Sequence, residues 1–237
     1  MEPLLALPSE RGFDVLGGLE GTLCALLAVL EARDSVTYVH SQRMADLSAA
    51  LAIELGLNSQ DALSIRVGAL LHDIGMIALP IDILSKPREL SISELAAVTG
   101  HPLTGYAVLR NIPLPLSMNL AVLQHHERLD GSGYPHGLKG QAICQAARIL
   151  AVADTVEAMV SERPYRDAPG LDAALDLIEQ GKHRLFDSKV VEACCRLFLD
   201  KDYAFPESFP SYLNPESSDS SNSAGERASG GAERPLF

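Results

Sequence analysis

VGALLHDIG, residues 67–75, runs an apolar helical stretch straight into an ionisable pair, His72 and Asp73. An imidazole and a carboxylate beside Leu70 and Leu71 are costly to bury unless each finds a partner. Two further stretches repeat the pattern: NLAVLQHHE, residues 119–127, reaches His125 and His126, and RILAVAD, residues 148–154, ends on Asp154. Outward from these junctions, apolar residues recur at helical spacing, as in Met44, Leu47, Leu51 and Leu55, which share one stripe of a helix. Strand-like alternation is almost absent, so the expected fold is all-α, a single helical bundle.

The periodicity predicts a helix around Met44–Leu55 and further helices over 13–33, 60–71, 91–111, 115–126, 142–160, 171–181 and 189–198. Pro80, Pro87, Pro113, Pro115, the turn-rich DGSGYPHG at 130–137 and Arg163-Pro164-Tyr165 supply the breaks between them. Ser91 followed by Glu94 reads as a capping box for the helix that leads to His101. From Pro215 the chain turns rich in Ser, Gly and charge, too poor in apolar surface to offset its ordering entropy. The expected organisation is an N-terminal extension at 1–12, one domain at 13–204 and a disordered, flexible C-terminal tail at 205–237. No receiver or sensory domain is expected on the N-terminal side.

Composition excludes several classes. A hydrophobic fraction of 47% over 237 residues supports one substantial core. The start, MEPLLALPSERG, does not read as a signal peptide, and the most apolar run, 23–30, is far shorter than the roughly 20 residues of a membrane span. A cytoplasmic location and no membrane partner are expected. Cys24, Cys144, Cys194 and Cys195 lack CxxC spacing and read as reduced core residues. The net charge of −12 argues against broad binding to DNA or RNA, which requires many Lys and Arg on phosphates. An anionic ligand would need a local positive site, and clustered metal ions are a compact way to make one.

The seven histidines are His40, His72, His101, His125, His126, His136 and His183. Taken singly, each suits a surface or a satisfied core position. Together, several imidazoles and carboxylates at the ends of apolar helices suit a metal cluster inside a helical bundle. Imidazole and carboxylate without thiolate point to iron, manganese or zinc. A carboxylate such as Asp73 offers two oxygens and so can bridge two ions, an arrangement common in phosphoryl chemistry.

These residues belong to a longer ordered series: DSVTYVHSQRMADLS at 34–48, LLHDIGMIALPIDILSKPREL at 70–90, GHPLTG at 100–105, HHERLDGSGYPHGLKG at 125–140, ILAVADTVEAMVSERPYR at 149–166 and HRLFDSKVV at 183–191. The series resembles the HD-GYP family of cyclic di-GMP phosphodiesterases, a branch of the HD metal-dependent phosphohydrolases, over roughly residues 14–200. The resemblance implies an HD-superfamily helical bundle with a metal cluster in its core. It implies metal ligands at His40, His72, Asp73, His101, His125, His126 and Asp154, with Asp73 as the bridge. It also implies contacts to cyclic di-GMP from Arg163 and Arg166, with Tyr134 in the signature loop, and hydrolysis to pGpG and onward to GMP. Lys86 is a nearby cation.

Three departures from the family's pattern shape the expectation. Met76 stands where most active members of the family have a lysine beside the scissile phosphate or leaving oxygen, so the catalytic set of Asp73 and position 76 is atypical. A thioether supplies neither positive charge nor a proton. Val36 stands one helical turn before His40, where members with a third metal carry glutamate, so two divalent ions are expected, iron or manganese. Ile81, Glu157 and Ser188 are smaller departures to which the sequence attaches no consequence. Three readings follow: a phosphodiesterase of reduced rate; a cyclic di-GMP-binding signalling module, weak or inactive in catalysis, that acts through a protein partner or a homodimer; and, disfavoured by the GYP and RPYR segments, an HD phosphohydrolase of another nucleotide or a mixed cyclic dinucleotide.

Overall fold

The computed structural model describes residues 18–84, 90–161, 168–206, 209 and 211. Among these the chain is helical, and the one β-type pairing is an isolated bridge between Lys182 and Phe186. The all-α expectation holds. The helices are α1 (Glu20–Arg33), α2 (Ser35–Glu54), α3 (Ser59–Leu70), α4 (Ile81–Leu84), α5 (Ile92–Val98), α6 (His101–Leu109), α7 (Leu116–Gln124), α8 (Gln145–Val160), α9 (Leu171–Gln180) and α10 (Ser188–Asp200), with short 3-10 turns at Ile74–Ala78 and Gly140–Ala142.

Local chemistry sets several starts. Asp34 is extended, and its carboxylate accepts the amides of Val36 and Thr37 at 3.0 and 3.3 Å, which caps α2. Asn58 caps α3 through the Asp61 amide at 2.9 Å. Ser91 and Glu94 form the expected capping box at α5.

The core is built on α2 and α8. α2 packs along α3, and α8 packs against α2, α7 and α9, while α10 closes over α2 and α8. Met44, Leu47 and Leu51 from the predicted stripe of α2 are fully buried, with Ile149, Leu150, Val152 and Val156 of α8 in the same core. Each such side chain contributes about 1.5–3 kcal/mol by leaving water. Phe205, which the sequence put at the start of the tail, packs its ring near those of Phe198 and Tyr203. Residues 212–237 lie outside the described residues. No described helix is long and apolar enough to cross a membrane.

One expectation is corrected. The helix predicted over 91–111 is two helices, α5 and α6, broken at Thr99 and Gly100. Pro102, at the start of α6, explains the break: its ring excludes the carbonyl four residues earlier and it has no amide hydrogen to donate. The break makes His101 the first residue of α6. Likewise the predicted 142–160 helix begins at Gln145, after the 3-10 turn and Cys144.

The turn Ile74–Ala78 lies directly against α6. A Cβ at Gly75 would collide with the backbone of His101 and Gly105, so glycine is required by close approach. Gly75→Ala is expected to cost about 3 kcal/mol, as overpacking against backbone does. Urea unfolding checks it, and a midpoint equal to that of the parent would contradict the packing.

Candidate metal centre

His72, His101 and His125 are oriented by one local device. Each Nδ1 lies 2.7 Å from the carbonyl oxygen three residues earlier, that of Ala69, Val98 and Val122 respectively. Those carbonyls belong to the last turns of α3, α5 and α7, where the helix leaves carbonyls without intrahelical partners. A carbonyl only accepts, so Nδ1–H donates and Nε2 is the atom turned to the interior. The apolar helices that end on ionisable residues therefore present their imidazoles in a defined tautomer.

These Nε2 atoms converge on Asp73, which stands at the entry to the 3-10 turn. Asp73 Oδ2 lies 3.2 Å from His72 Nε2, and Oδ1 lies 3.1 Å from His101 Nε2 and 4.0 Å from His125 Nε2. From the second turn of α2, His40 turns Nε2 to Asp154 Oδ1 at 3.3 Å and hydrogen-bonds through Nδ1 to Glu157. His126 Nδ1 lies 3.9 Å from the other Asp154 oxygen, and its ring centroid is 4.1 Å from that of His125. Asp73, His101, His125 and His126 form one group able to hold a metal ion, and His40, His72 and Asp73 form another, the donor atoms of each lying within 4.8 Å of one another. Asp73 belongs to both, and Asp154 touches one histidine from each.

The electrostatics match a cation site. Burial opposes ionisation of Asp73, yet His72 and His101 hold its carboxyl well below the usual range. Burial likewise opposes Asp154, whose hydrogen bond and ion pairing with His40 hold it far down. Burial, with neighbouring imidazoles, pushes His125 well below its ordinary value, and burial pushes His126 down to about 4, so both offer lone pairs at neutral pH. For His40 burial is outweighed by hydrogen bonds to Asp154 and Glu157, which raise it to about 10. His101 is raised by Asp73 against its own burial. Without a cation, a proton on His40 carries positive charge beside the ionised carboxylates of Asp154 and Glu157. A divalent ion fits the same donor set, with imidazole nitrogens and carboxylate oxygens and no sulfur.

The signature loop is tied to this cluster through backbone. Glu127, 1% exposed, accepts the amides of His136 and Leu138 at 2.8 and 2.9 Å. The Tyr134 amide donates to the His126 carbonyl at 3.2 Å, and a Cβ at Gly133 would strike His126, Glu127 and Arg128. Gly133 is thus a packing glycine. The half-buried Tyr134 ring lies 4.7 Å from the His126 ring, and burial, then Asp154 and Asp73, push its phenol up, so it keeps its proton.

Every histidine and aspartate named from the sequence as a ligand is therefore in or beside this cluster. Met76 is half-buried on the 3-10 turn, its amide donating to the Asp73 carbonyl at 2.8 Å. Val36 is exposed. Lys86, Arg163 and Arg166 lie outside the described residues. Two buried carboxylates at the site carried no assigned part in the sequence: Glu127, whose only signal was its place in HHE, and Glu157, marked only as a departure from the family's pattern with no consequence attached.

A family model described as HD domain matches residues 25–190. The chain is 42% identical over 178 residues to the cyclic di-GMP phosphodiesterase response regulator RpfG of Xanthomonas campestris pv. campestris, a match covering 74% of this chain and 47% of that protein. It is 37% identical over 195 residues to the 3'3'-cGAMP-specific phosphodiesterase 1 of Vibrio cholerae, covering 80% of this chain and 45% of the relative. The chain spans about half the length of these curated relatives. Among solved structures, an HDG"Y"P protein from Bdellovibrio bacteriovorus shares the fold with a TM-score of 0.57 and 20% identity, over 78% of this chain and 60% of that one. With the family model matched from α1 into α10 and the HHE–DGSGYP series in place around the cluster, the chain belongs to the HD domain family, in its HD-GYP branch.

Proposed function

We propose that this chain is a metal-dependent phosphodiesterase that hydrolyses cyclic di-GMP to linear pGpG, and more slowly to GMP. The observation that carries the reading is the pair of His/Asp groups sharing Asp73. The names of the relatives, cyclic di-GMP and 3'3'-cGAMP phosphodiesterases, support the substrate class. His40, His72, Asp73 and Asp154 would hold one divalent ion, and Asp73, His101, His125 and His126 a second, iron or manganese by donor type. When bound, such ions supply Lewis acidity toward the phosphate oxygens and a nucleophilic water at neutral pH.

The chain's own residues supply the rest. The helix-end carbonyls of Ala69, Val98 and Val122 fix three imidazoles before any ligand arrives, which lowers the reorganisation cost of the site. Tyr134, keeping its phenolic proton beside His126, would donate to a phosphate oxygen of the bound dinucleotide. Arg163 and Arg166 are assigned to the dinucleotide on the resemblance alone, as is Lys86 as an auxiliary cation. Hydrolysis breaks the bond from phosphorus to the 3′ oxygen, and that oxygen must gain a proton. Met76 cannot supply one, so the expected enzyme is slow. A cytoplasmic setting belongs to the same proposal.

Met76 also favours a second reading, a receptor that binds metal and cyclic di-GMP without turning it over and signals through a protein partner or a second copy. Anaerobic incubation with iron(II) or manganese(II) and cyclic di-GMP, followed by chromatography, separates the two. Linear product supports the enzyme; tight binding with unchanged cyclic ligand supports the receptor. The same assay with 3'3'-cGAMP tests the substrate preference.

Metal binding should depend on pH in a definite direction. His40, raised to about 10, carries a proton at neutral pH that an ion must displace. Apparent affinity is therefore expected to rise with pH, by about tenfold per unit for each proton displaced. Manganese titration calorimetry from about pH 6 to about pH 8, in buffers of different ionisation heat, reads both the slope and the released protons. An affinity indifferent to pH would contradict the proton-for-metal exchange.

A further inference from the structure

Glu157 lies one helical turn beyond Asp154 on α8 and is 0% exposed. Its carboxylate meets three groups from two places in the chain, His40 and Arg43 on α2 and Ser161 at the end of α8. One oxygen accepts from His40 Nδ1 across 117 residues of sequence. The other accepts from the Ser161 hydroxyl and lies 3.1 Å from Arg43 Nε. A buried carboxylate so fully engaged is rigid, and rigidity here falls on a ring that faces the cluster.

His40 differs from His72, His101 and His125 in its position. It lies in the interior of α2, where backbone carbonyls are used within the helix and none is left to fix its tautomer. Its other nitrogen, Nε2, lies 3.3 Å from Asp154 Oδ1. Asp154 is thus a competing acceptor: a neutral His40 with its proton on Nε2 would donate to Asp154 and close that nitrogen to a metal. We infer that Glu157 is a positioning residue for the metal centre, holding the His40 proton on Nδ1 so that Nε2 is available beside Asp154, with Arg43 and Ser161 fixing the carboxylate in turn. This rests on the metal-centre reading above and adds to it a residue outside the ligand set. Arg43 also places its guanidinium 4.5 Å from the Phe205 ring, so the clamp reaches the segment after α10.

The test compares the parent chain with Glu157→Ala, Glu157→Met and Glu157→Gln, titrated with manganese(II) alone and followed by the electron paramagnetic resonance of the free ion. Methionine fills the volume without an acceptor, while the glutamine amide oxygen still accepts from Nδ1–H. Loss of such a partner commonly weakens metal binding about 10–100-fold. The expected result is that weakening in one class of manganese site for the alanine and methionine variants, the other class unchanged, and recovery of most of the affinity in the glutamine variant. The nitrogen-15 spectrum of the zinc-loaded parent should show His40 protonated at Nδ1 and bound through Nε2, a signature lost with methionine at 157. Thermal unfolding runs alongside, because a purely structural role would lower the melting temperature and leave manganese affinity unchanged. If the alanine variant fails to fold, the methionine variant carries the test. A folded methionine variant that binds manganese as tightly as the parent overturns the positioning role alone, whereas a parent that binds no manganese overturns the metal centre and this role with it.

Discussion

If the proposed two-metal hydrolysis holds, replacing Asp73 with alanine should reduce turnover of cyclic di-GMP to below about a thousandth of the parent rate, because neither ion would keep its shared carboxylate. Asp73 is the residue common to both candidate metal groups. Its two oxygens face His72 on one side and His101 and His125 on the other. Without it, buried imidazoles face one another with no anion between them, as at the 3.2 Å separation of His101 Nε2 and His125 Nε2. Removing one partner from a buried charged cluster also costs about 3–5 kcal/mol of stability. Asp73→Asn, which keeps the shape, separates the effects: it should fold and still lose metal and turnover. Metal content and product measured on the same samples check this, and an asparagine variant with parent-like turnover would exclude Asp73 as the bridge.

Met76→Lys should act in the opposite direction, raising turnover about 100–1,000-fold, the size of effect seen when one group stabilising developing charge is gained or lost. Met76 sits three residues past Asp73 on the 3-10 turn and is half-buried. The two side chains are unbranched and similar in reach, so lysine can follow the methionine path with its ammonium at the wetter end. The change tests chemistry with little disturbance of packing. Rates under saturating manganese and substrate are the readout. Equal rates for the two proteins would mean that position 76 does not face the reacting phosphate.

Much of the site is legible in the sequence because its physical logic is local. Apolar helices that end on His72 and Asp73, or on His125 and His126, cannot be ordinary core elements. Their geometry then follows from a helix-end carbonyl three residues back. His101 was harder to place, since the apolar periodicity from 91 to 111 masks the break that Pro102 imposes. That break places His101 beside Val98 and turns its Nε2 inward. Glu157 stood out only as a departure from the family's pattern, with no role attached, because its partner His40 lies on α2 and only the packing of α8 on α2 brings them together. Glu127 looked like the end of a motif, yet it is a buried anchor for the backbone at 136–138.

The most direct measurement loads metal-stripped protein anaerobically with increasing iron(II) and follows, in one series, metal bound per chain and the rate of pGpG formation. The expected result is two bound equivalents and turnover that appears with the second, both absent in Asp73→Ala. Turnover in the metal-stripped protein, or filling of the site with no linear product from either the parent or Met76→Lys, would contradict hydrolysis at this centre.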